Sequence, residues 1–258
     1  MSADKYPPDL FALIHRGTAG DLAYYRELCR GTAAVLELGC GYGRLIPELA
    51  ATGTHYHGLE LDPALLRLAR RARAKLSPQQ RARVTLRAGD MRDFRFSRRF
   101  DRVLLPHSTL YCLPNDRSVL ACLRRARAHL AEGGRLVLDA YVADDFHHRL
   151  DPSELTGKQR EYLTRVESRT GSYLVFERTR WSRSKQRFVV TYEHESERGK
   201  LVTGTVEHRY LLRAQLEALV ARAGFTRTKW FGNFRGGRLG TRSEQFVLHA
   251  WDGPHDSY

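Results

Sequence analysis

Nothing in the 258 residues resembles the long apolar run needed to cross a bilayer, so a helical membrane span is excluded from the expectation. The first ten residues hold Pro7, Pro8, Asp4 and Asp9, and lack the basic start and apolar stretch of a secretory signal. A cytoplasmic protein without membrane attachment is expected. Cysteine is sparse. Cys29, Cys40, Cys112 and Cys122 never fall at C-x-x-C spacing, which argues against a zinc ribbon and a disulfide framework and leaves no metal site to expect. Internal repeats and low-complexity tracts are absent as well.

Positive charge is what the chain has in excess, with a formal net charge of +14. Much of it is arginine on helix faces, as in Arg67, Arg70, Arg71 and Arg73, then Arg124, Arg125 and Arg127. Such a surface can attract a polyanion, but a solvated arginine-rich face accounts for it more simply. With 42% hydrophobic residues, the chain can bury an ordinary core.

The first half alternates strand and helix patterns. Ala33 to Leu38 is an apolar run ending in glycines, followed by a helix from Arg44 with Pro47 in its first turn. His55 to Leu59 reads as a second strand, and Asp62-Pro63 as a capped helix start with Leu65, Ala69, Ala72 and Leu76 on its buried face. Arg83 to Arg87, Phe100 to Leu105 and Arg135 to Val142 supply three more strands. Asn115 to Ala131 is a helix expected to stop at Gly133-Gly134. Between Leu150 and Leu212 the pattern changes to strands alone, at Ser172 to Trp181, Arg187 to Glu195 and Val202 to Leu211. A helix ending at Gly224 and two strands, Phe225 to Phe231 and Glu244 to Trp251, close the chain.

The expected fold class is therefore α/β: a Rossmann-like, doubly wound, mostly parallel seven-stranded sheet with an inserted small antiparallel β-sheet. The division that follows is an N-terminal helical cap over 1–32, a core over 33–149, an antiparallel insertion serving as acceptor lid over 150–211, and a closing helix and strands over 212–258.

Glu37-Leu38-Gly39-Cys40-Gly41-Tyr42-Gly43 follows a strand and opens a helix, so its glycines let a ligand approach the backbone closely. A dinucleotide-binding G-x-G-x-x-G would need glycine at position 44, which is Arg44. Glu37, two residues ahead of the first glycine, would also repel a pyrophosphate. Both departures favour a ligand with a cationic end and no phosphate.

From Val35 to Arg44 the chain resembles the first motif of the class I S-adenosylmethionine-dependent methyltransferase superfamily, in its small-molecule N- or O-methyltransferase branch. Gly58 to Pro63, Ala88 to Met91 and Phe100 to Leu105 are similar to its following motifs. The resemblance covers roughly Ala33 to Val142 plus the closing elements. It implies S-adenosylmethionine as cofactor, leaving as S-adenosylhomocysteine, with Glu37, Gly39, Cys40, Gly41 and Gly43 forming the loop. It implies Glu60 on the ribose hydroxyls beside Leu61, Asp90 on the adenine amino group beside Met91, and Leu105 near the methionine moiety. Arg16 could take the methionine carboxylate and Tyr25 could close over the donor; a solvated Arg16 and a packing Tyr25 fit the sequence equally well.

For catalysis, His107 is the candidate general base and Tyr111 a second cavity residue, with a shaping role for His107 weighing slightly more. Leu105-Pro106-His107-Ser108 does not match the Asn/Asp-Pro-Pro-aromatic signature of enzymes that methylate nucleobase or glutamine amines, and no Pro-Cys pair serves cytosine C5 chemistry. Trp181, Phe188, Tyr192 and Tyr210 could wall an acceptor site, though a sheet core explains most of them better. The expected activity is methyl transfer to nitrogen or oxygen of a small-molecule acceptor, by a monomer or homodimer. The alternative is an RNA methyltransferase using the basic surface. An aminopropyltransferase is disfavoured because the fourth strand lacks paired carboxylates.

Overall fold

β1 (Ala34–Leu38) is buried at every position, which identifies it as a central strand covered on both faces. The computed structural model describes residues 6–169 and 171–253, so residues 1–5 of the expected cap and 254–258 of the closing segment lie outside the described residues. β2 (His55–Glu60), β3 (Val84–Ala88), β4 (Phe100–Leu105) and β5 (Leu130–Tyr141) follow. After them come β6 (Glu161–Ser168), β7 (Gly171–Ser182), β8 (Arg187–Ser196), β9 (Leu201–Arg209), β10 (Arg227–Phe231) and β11 (Gln245–Trp251).

The chain divides into two compact units. One holds residues 17–142 and 212–258 and contains a seven-stranded sheet in the order β10-β11-β5-β4-β1-β2-β3. β1 to β5 pair in parallel, whereas β11 runs antiparallel to both β5 and β10. The connection out of β1 leads to β2 on one side while β4 lies on the other, so the strand order reverses between β1 and β4. In open α/β sheets the crevice beyond the carboxyl ends of the strands at such a reversal is where ligands bind. The helix Pro63–Ala74 buries Leu66 and Ala69, whereas Leu65, Ala72 and Leu76, expected on the same face, are only partly buried. Asp62 caps the helix Pro63–Ala74, its Oδ1 accepting from the amides of Ala64 and Leu65 at 2.6 and 3.3 Å. In the helix Asp116–Ala128, Val119, Leu123 and Ala126 form the buried stripe.

That helix ends at His129 rather than at the glycines. Gly133 does adopt a positive φ of 67°, but inside β5, where the pairing with β4 shifts register between Phe100 and Arg102. The expected helix stop is thus a strand irregularity, and β5 begins five residues earlier than the apolar run suggested. A shallow cleft of about 390 Å³ lined by Arg99, Arg127, Glu132 and Asp252 lies at the start of this strand, away from its carboxyl end.

The other unit holds residues 1–16 and 143–211 and contains a four-stranded antiparallel sheet in the order β6-β7-β8-β9. The expected cap therefore divides, with residues up to Arg16 in this unit and those from Gly17 in the other. β6 is a strand that the alternation pattern does not reveal. Trp181 and Tyr210 are buried here, with Trp181 Nε1 donating to Tyr210 Oη at 2.9 Å and Phe146 edge-on to both rings. Gly204 leaves room for another aromatic: a Cβ there would sit 2.1 Å from the ring of Tyr6, whose hydroxyl meets His194 Nε2 at 2.9 Å.

Candidate functional site

Gly39, Gly41 and Gly43 all have positive φ, of 69°, 56° and 84°, which L side chains adopt only with strain. Their roles differ. A Cβ on Gly39 would meet Thr109 Cγ2 at 2.5 Å, and one on Gly43 would meet Ile46 Cδ1 at 2.5 Å and the Ala69 backbone at 3.0 Å. These two glycines let the loop pack against protein. A Cβ on Gly41 would meet nothing within 4 Å. Open space stands in front of Gly41, and that is where the backbone can be approached by a ligand.

The loop is tied to the neighbouring strand. The amides of Gly39 and Cys40 donate to the Leu59 carbonyl at 2.8 and 3.0 Å. Glu60, at the tip of β2 and buried, accepts from the Gly41 amide through Oε2 and from the Asp62 amide through Oε1, each at 2.7 Å. A carboxylate offers about four lone-pair sites, so acceptor capacity remains on an oriented group. A vicinal diol could donate to it. Burial pushes the Glu60 carboxyl above its ordinary range, opposed by the Asp62 and Gly41 amides.

Glu37 is placed differently from the expectation that it faces the ligand. It is buried, accepts from Tyr56 Oη at 2.6 Å, and burial pushes its carboxyl up to about 8. Near neutral pH it is therefore largely protonated, a core acid engaged with Tyr56. Cys40 also turns inward: a Cβ on Gly58 would meet its Sγ at 2.8 Å. Its thiol is core, and only its backbone belongs to the loop. Leu105 is fully buried in β4, so its side chain presents no surface to a ligand.

Asp90 follows β3 and is partly exposed. Arg92 engages it through Nε and through a terminal nitrogen at 2.5 Å, holding the carboxyl below its usual range. Met91 is partly buried and Leu61 is 66% exposed. Arg16 belongs to the other unit, where its Nε donates to the Leu13 carbonyl at 2.8 Å.

Tyr25 and Tyr111 are both buried. Tyr111 Oη donates to the Tyr141 carbonyl at 3.3 Å and its ring packs edge-on to that of Tyr141. Tyr25 Oη donates to Asp139 Oδ1 at 2.5 Å. Neither side chain lines an opening; Tyr25 instead bears on the turn after β4, through Asp139. That turn places His107 and Ser108 in succession at φ of 54° and 59°. Left-handed non-glycine residues cost roughly 1–3 kcal/mol each and persist where the surroundings over-determine them. Here the His107 amide donates to Asp139 Oδ2 at 3.0 Å and the Ser108 amide to the Asp139 carbonyl at 2.9 Å. Burial, and then the charge of Arg44, lower the His107 imidazole below its ordinary value, leaving it neutral near pH 7.

Sequence reasoning missed two parts of this arrangement. Asp139 interrupts the apolar run Leu136 to Ala140, and a lone acid in a buried strand was the available signal. The Arg44–Asp21 pair, closed at 2.8 Å between nearly buried side chains, joins the residue after the glycine loop to the helix Asp21–Leu28, and no spacing rule links them. Among the described residues no cluster of His, Cys, Asp and Glu could hold a metal ion. No helix among them is long and apolar enough to cross a membrane.

A sheet in this order, with a glycine turn after β1 and a carboxylate at the tip of β2, is a Rossmann-like arrangement. Residues 35–134 match the family described as "Methyltransferase domain". The chain is 32% identical over 143 residues to dTDP-3-amino-3,6-dideoxy-alpha-D-glucopyranose N,N-dimethyltransferase of Streptomyces fradiae, covering 52% of each chain. It is 31% identical over 144 residues to dTDP-3-amino-3,4,6-trideoxy-alpha-D-glucopyranose N,N-dimethyltransferase of Streptomyces venezuelae, covering 54% of this chain and 56% of that one. The matched stretch thus spans about half the length of these curated relatives. The CcbJ methyltransferase of Streptomyces caelestis superposes with a TM-score of 0.77 at 24% identity, over 96% of this chain and 91% of that one, and so shares the fold. Over residues 35–134 the protein is thus similar to methyltransferases, and its fold is that of the CcbJ methyltransferase.

Proposed function

We propose that this protein transfers a methyl group from S-adenosylmethionine to an amine nitrogen of a small natural-product precursor, with an amino sugar as the acceptor class. The observation that carries the donor half is the free space before Gly41 beside a Glu60 carboxylate with acceptor capacity to spare. Those residues fit the donor: Glu60 would hold the ribose hydroxyls, Gly41 would let the ligand lie against the backbone, and Asp90 with Met91 would receive the adenine. Once bound, the donor supplies an electrophilic methyl on a sulfonium, and its transfer to a lone pair disperses positive charge.

The protein's part is alignment in a water-poor site, with a proton acceptor nearby. His107 suits the second task because its imidazole is held neutral near pH 7 and its backbone is fixed by Asp139. An ammonium acceptor must lose a proton before its nitrogen can attack, and His107 would take it.

The amine acceptor is favoured over oxygen, and over RNA, by the names of the two curated relatives, both N,N-dimethyltransferases of amino-sugar nucleotides. The test incubates the purified protein with S-adenosylmethionine and dTDP-3-amino-3,6-dideoxy-α-D-glucopyranose and follows product mass. Successive gains of one and two methyl groups support the proposal. Absence of any methylated sugar, with S-adenosylmethionine demonstrably bound, rejects this acceptor class while leaving the donor site standing.

A further inference from the structure

Asp139 is a buried support of the strained turn after β4, and it touches two other elements. Asp139, on β5, receives the His107 amide on Oδ2 at 3.0 Å and the Tyr25 hydroxyl on Oδ1 at 2.5 Å, while its own carbonyl receives the Ser108 amide. Tyr25 lies on the helix Asp21–Leu28, whose first residue pairs with Arg44 at the exit of the glycine loop. Downstream, Thr109 Oγ1 donates to the Pro106 carbonyl at 2.5 Å, and Thr109 Cγ2 fills the space that a side chain on Gly39 would need.

The His107–Ser108 corner is therefore clamped on one side by Asp139 and set against the glycine loop on the other. We infer that Asp139 is a positioning residue: its carboxylate holds the left-handed His107–Ser108 corner, and through Tyr25 it links that corner to the helix anchored on Arg44. This rests on the reading of His107 as the proton acceptor given above.

The chemistry of the support is specific. Backbone N–H and phenol O–H both donate, so an acceptor with two oxygens at this point satisfies them together, and removing it leaves two buried donors unpaired. Asparagine retains one carbonyl oxygen for the His107 amide, and its NH2 can donate to the Tyr25 oxygen. Alanine retains neither. No ion pair with His107 is needed, because the contact to Asp139 runs through the backbone. Arg44 and Asp21 are the charges that act on the ring itself.

The test uses the full chain and its Asp139→Ala, Asp139→Asn and Tyr25→Phe variants. Amide hydrogen exchange at His107 and Ser108, the imidazole resonances of His107, and S-adenosylhomocysteine affinity by calorimetry are measured for each. In Asp139→Ala, exchange at His107 should quicken by roughly tenfold or more as the local opening becomes easier. The imidazole resonances should move, with ligand affinity changed less than about threefold because Glu60 and Gly41 are untouched. Asp139→Asn should restore both the exchange rate and the resonances. Tyr25→Phe should give a smaller change in the same direction, and it carries the test with Asp139→Asn if the alanine variant does not fold.

Unmoved imidazole resonances in Asp139→Ala and Tyr25→Phe would overturn the inference. So would an asparagine variant that behaves as alanine does, or a parallel loss of S-adenosylhomocysteine affinity. Failure of the wild-type protein to bind that ligand would refute the donor reading alone, since the exchange and resonance data report on the corner directly.

Discussion

The Gly41 amide donates to Glu60 Oε2 at 2.7 Å, joining the turn after β1 to the tip of β2. With the Asp62 amide on Oε1, the carboxylate is held from two directions by backbone that cannot rotate away. Orientation is thus built into the fold, and binding a diol there requires little further ordering of the side chain.

Replacing Glu60 should weaken the donor without unfolding the protein. Hydrogen bonds to a charged group contribute about 1.5–3 kcal/mol. Glu60→Ala should therefore raise the dissociation constant of S-adenosylhomocysteine roughly 10- to 150-fold in calorimetry. Glu60→Gln should fall between, since its one oxygen still accepts while its amide turns a donor toward the ligand.

Two glycines of the same loop should respond in opposite ways to alanine. Gly41→Ala places a methyl group in open space, and its left-handed backbone costs only about 1–2 kcal/mol, so the protein should fold while donor affinity collapses. Gly43→Ala drives a methyl into Ile46 and the Ala69 backbone, where overpacking adds about 1–3 kcal/mol to the same backbone strain. Thermal unfolding and calorimetry on both variants separate the effects. Equal losses of stability would contradict the assignment.

His107→Asn should lower turnover while S-adenosylmethionine affinity stays within about twofold, because uniform binding and proton transfer are separable in kcat and KM. Tyr111→Phe should leave turnover nearly intact, since that hydroxyl is engaged with the Tyr141 carbonyl inside the core. The comparison is made with any acceptor that the methylation assay identifies.

Acid should destabilise the fold through one half-buried and one buried histidine. Burial lowers His57 to about 4 and His249 to about 3, helped by Arg98 at the first and by Arg135, Arg102 and Lys229 at the second. Between those values and the ordinary value near 6.5, the unfolded chain binds protons that the folded one refuses, so stability falls as pH drops through that window. Glu37 acts in the other window. Raised to about 8, it favours the protonated folded state, so its burial penalty grows as pH rises from about 4.5 to 8. Denaturant titrations across pH should show Glu37→Gln gaining stability relative to wild type toward alkaline pH, with the gap closing in acid.

Much of the parallel unit could be read in advance because its signals are local. A strand ending in glycines, the Asp62-Pro63 cap and the spacing around Ala69 each depend on neighbouring residues. What escaped depends on distant ones. Glu37 reads as a charge near the ligand until the structure shows it buried beneath the sheet surface and accepting from Tyr56 on the adjacent strand, its carboxyl raised by that burial. Leu105 lies in a matched motif and Tyr25 in the helix ahead of the core, and both side chains are fully buried. β6 carries Glu161, Thr164, Arg165 and Glu167 on a largely exposed edge, so its weak hydrophobic alternation hid a strand that pairing with β7 stabilises. Gly133-Gly134 resembled a helix end because glycine marks positive φ without saying which element needs it.

Calorimetric titration of S-adenosylhomocysteine into the wild-type protein asks whether the turn at Gly41 and the carboxylate of Glu60 receive an adenosyl ligand. One site per chain, weakened by both Gly41→Ala and Glu60→Ala in folded variants, is the expected result. Absence of binding to the wild-type protein, or affinity indifferent to both substitutions, would rule out a donor site at Gly41 and Glu60.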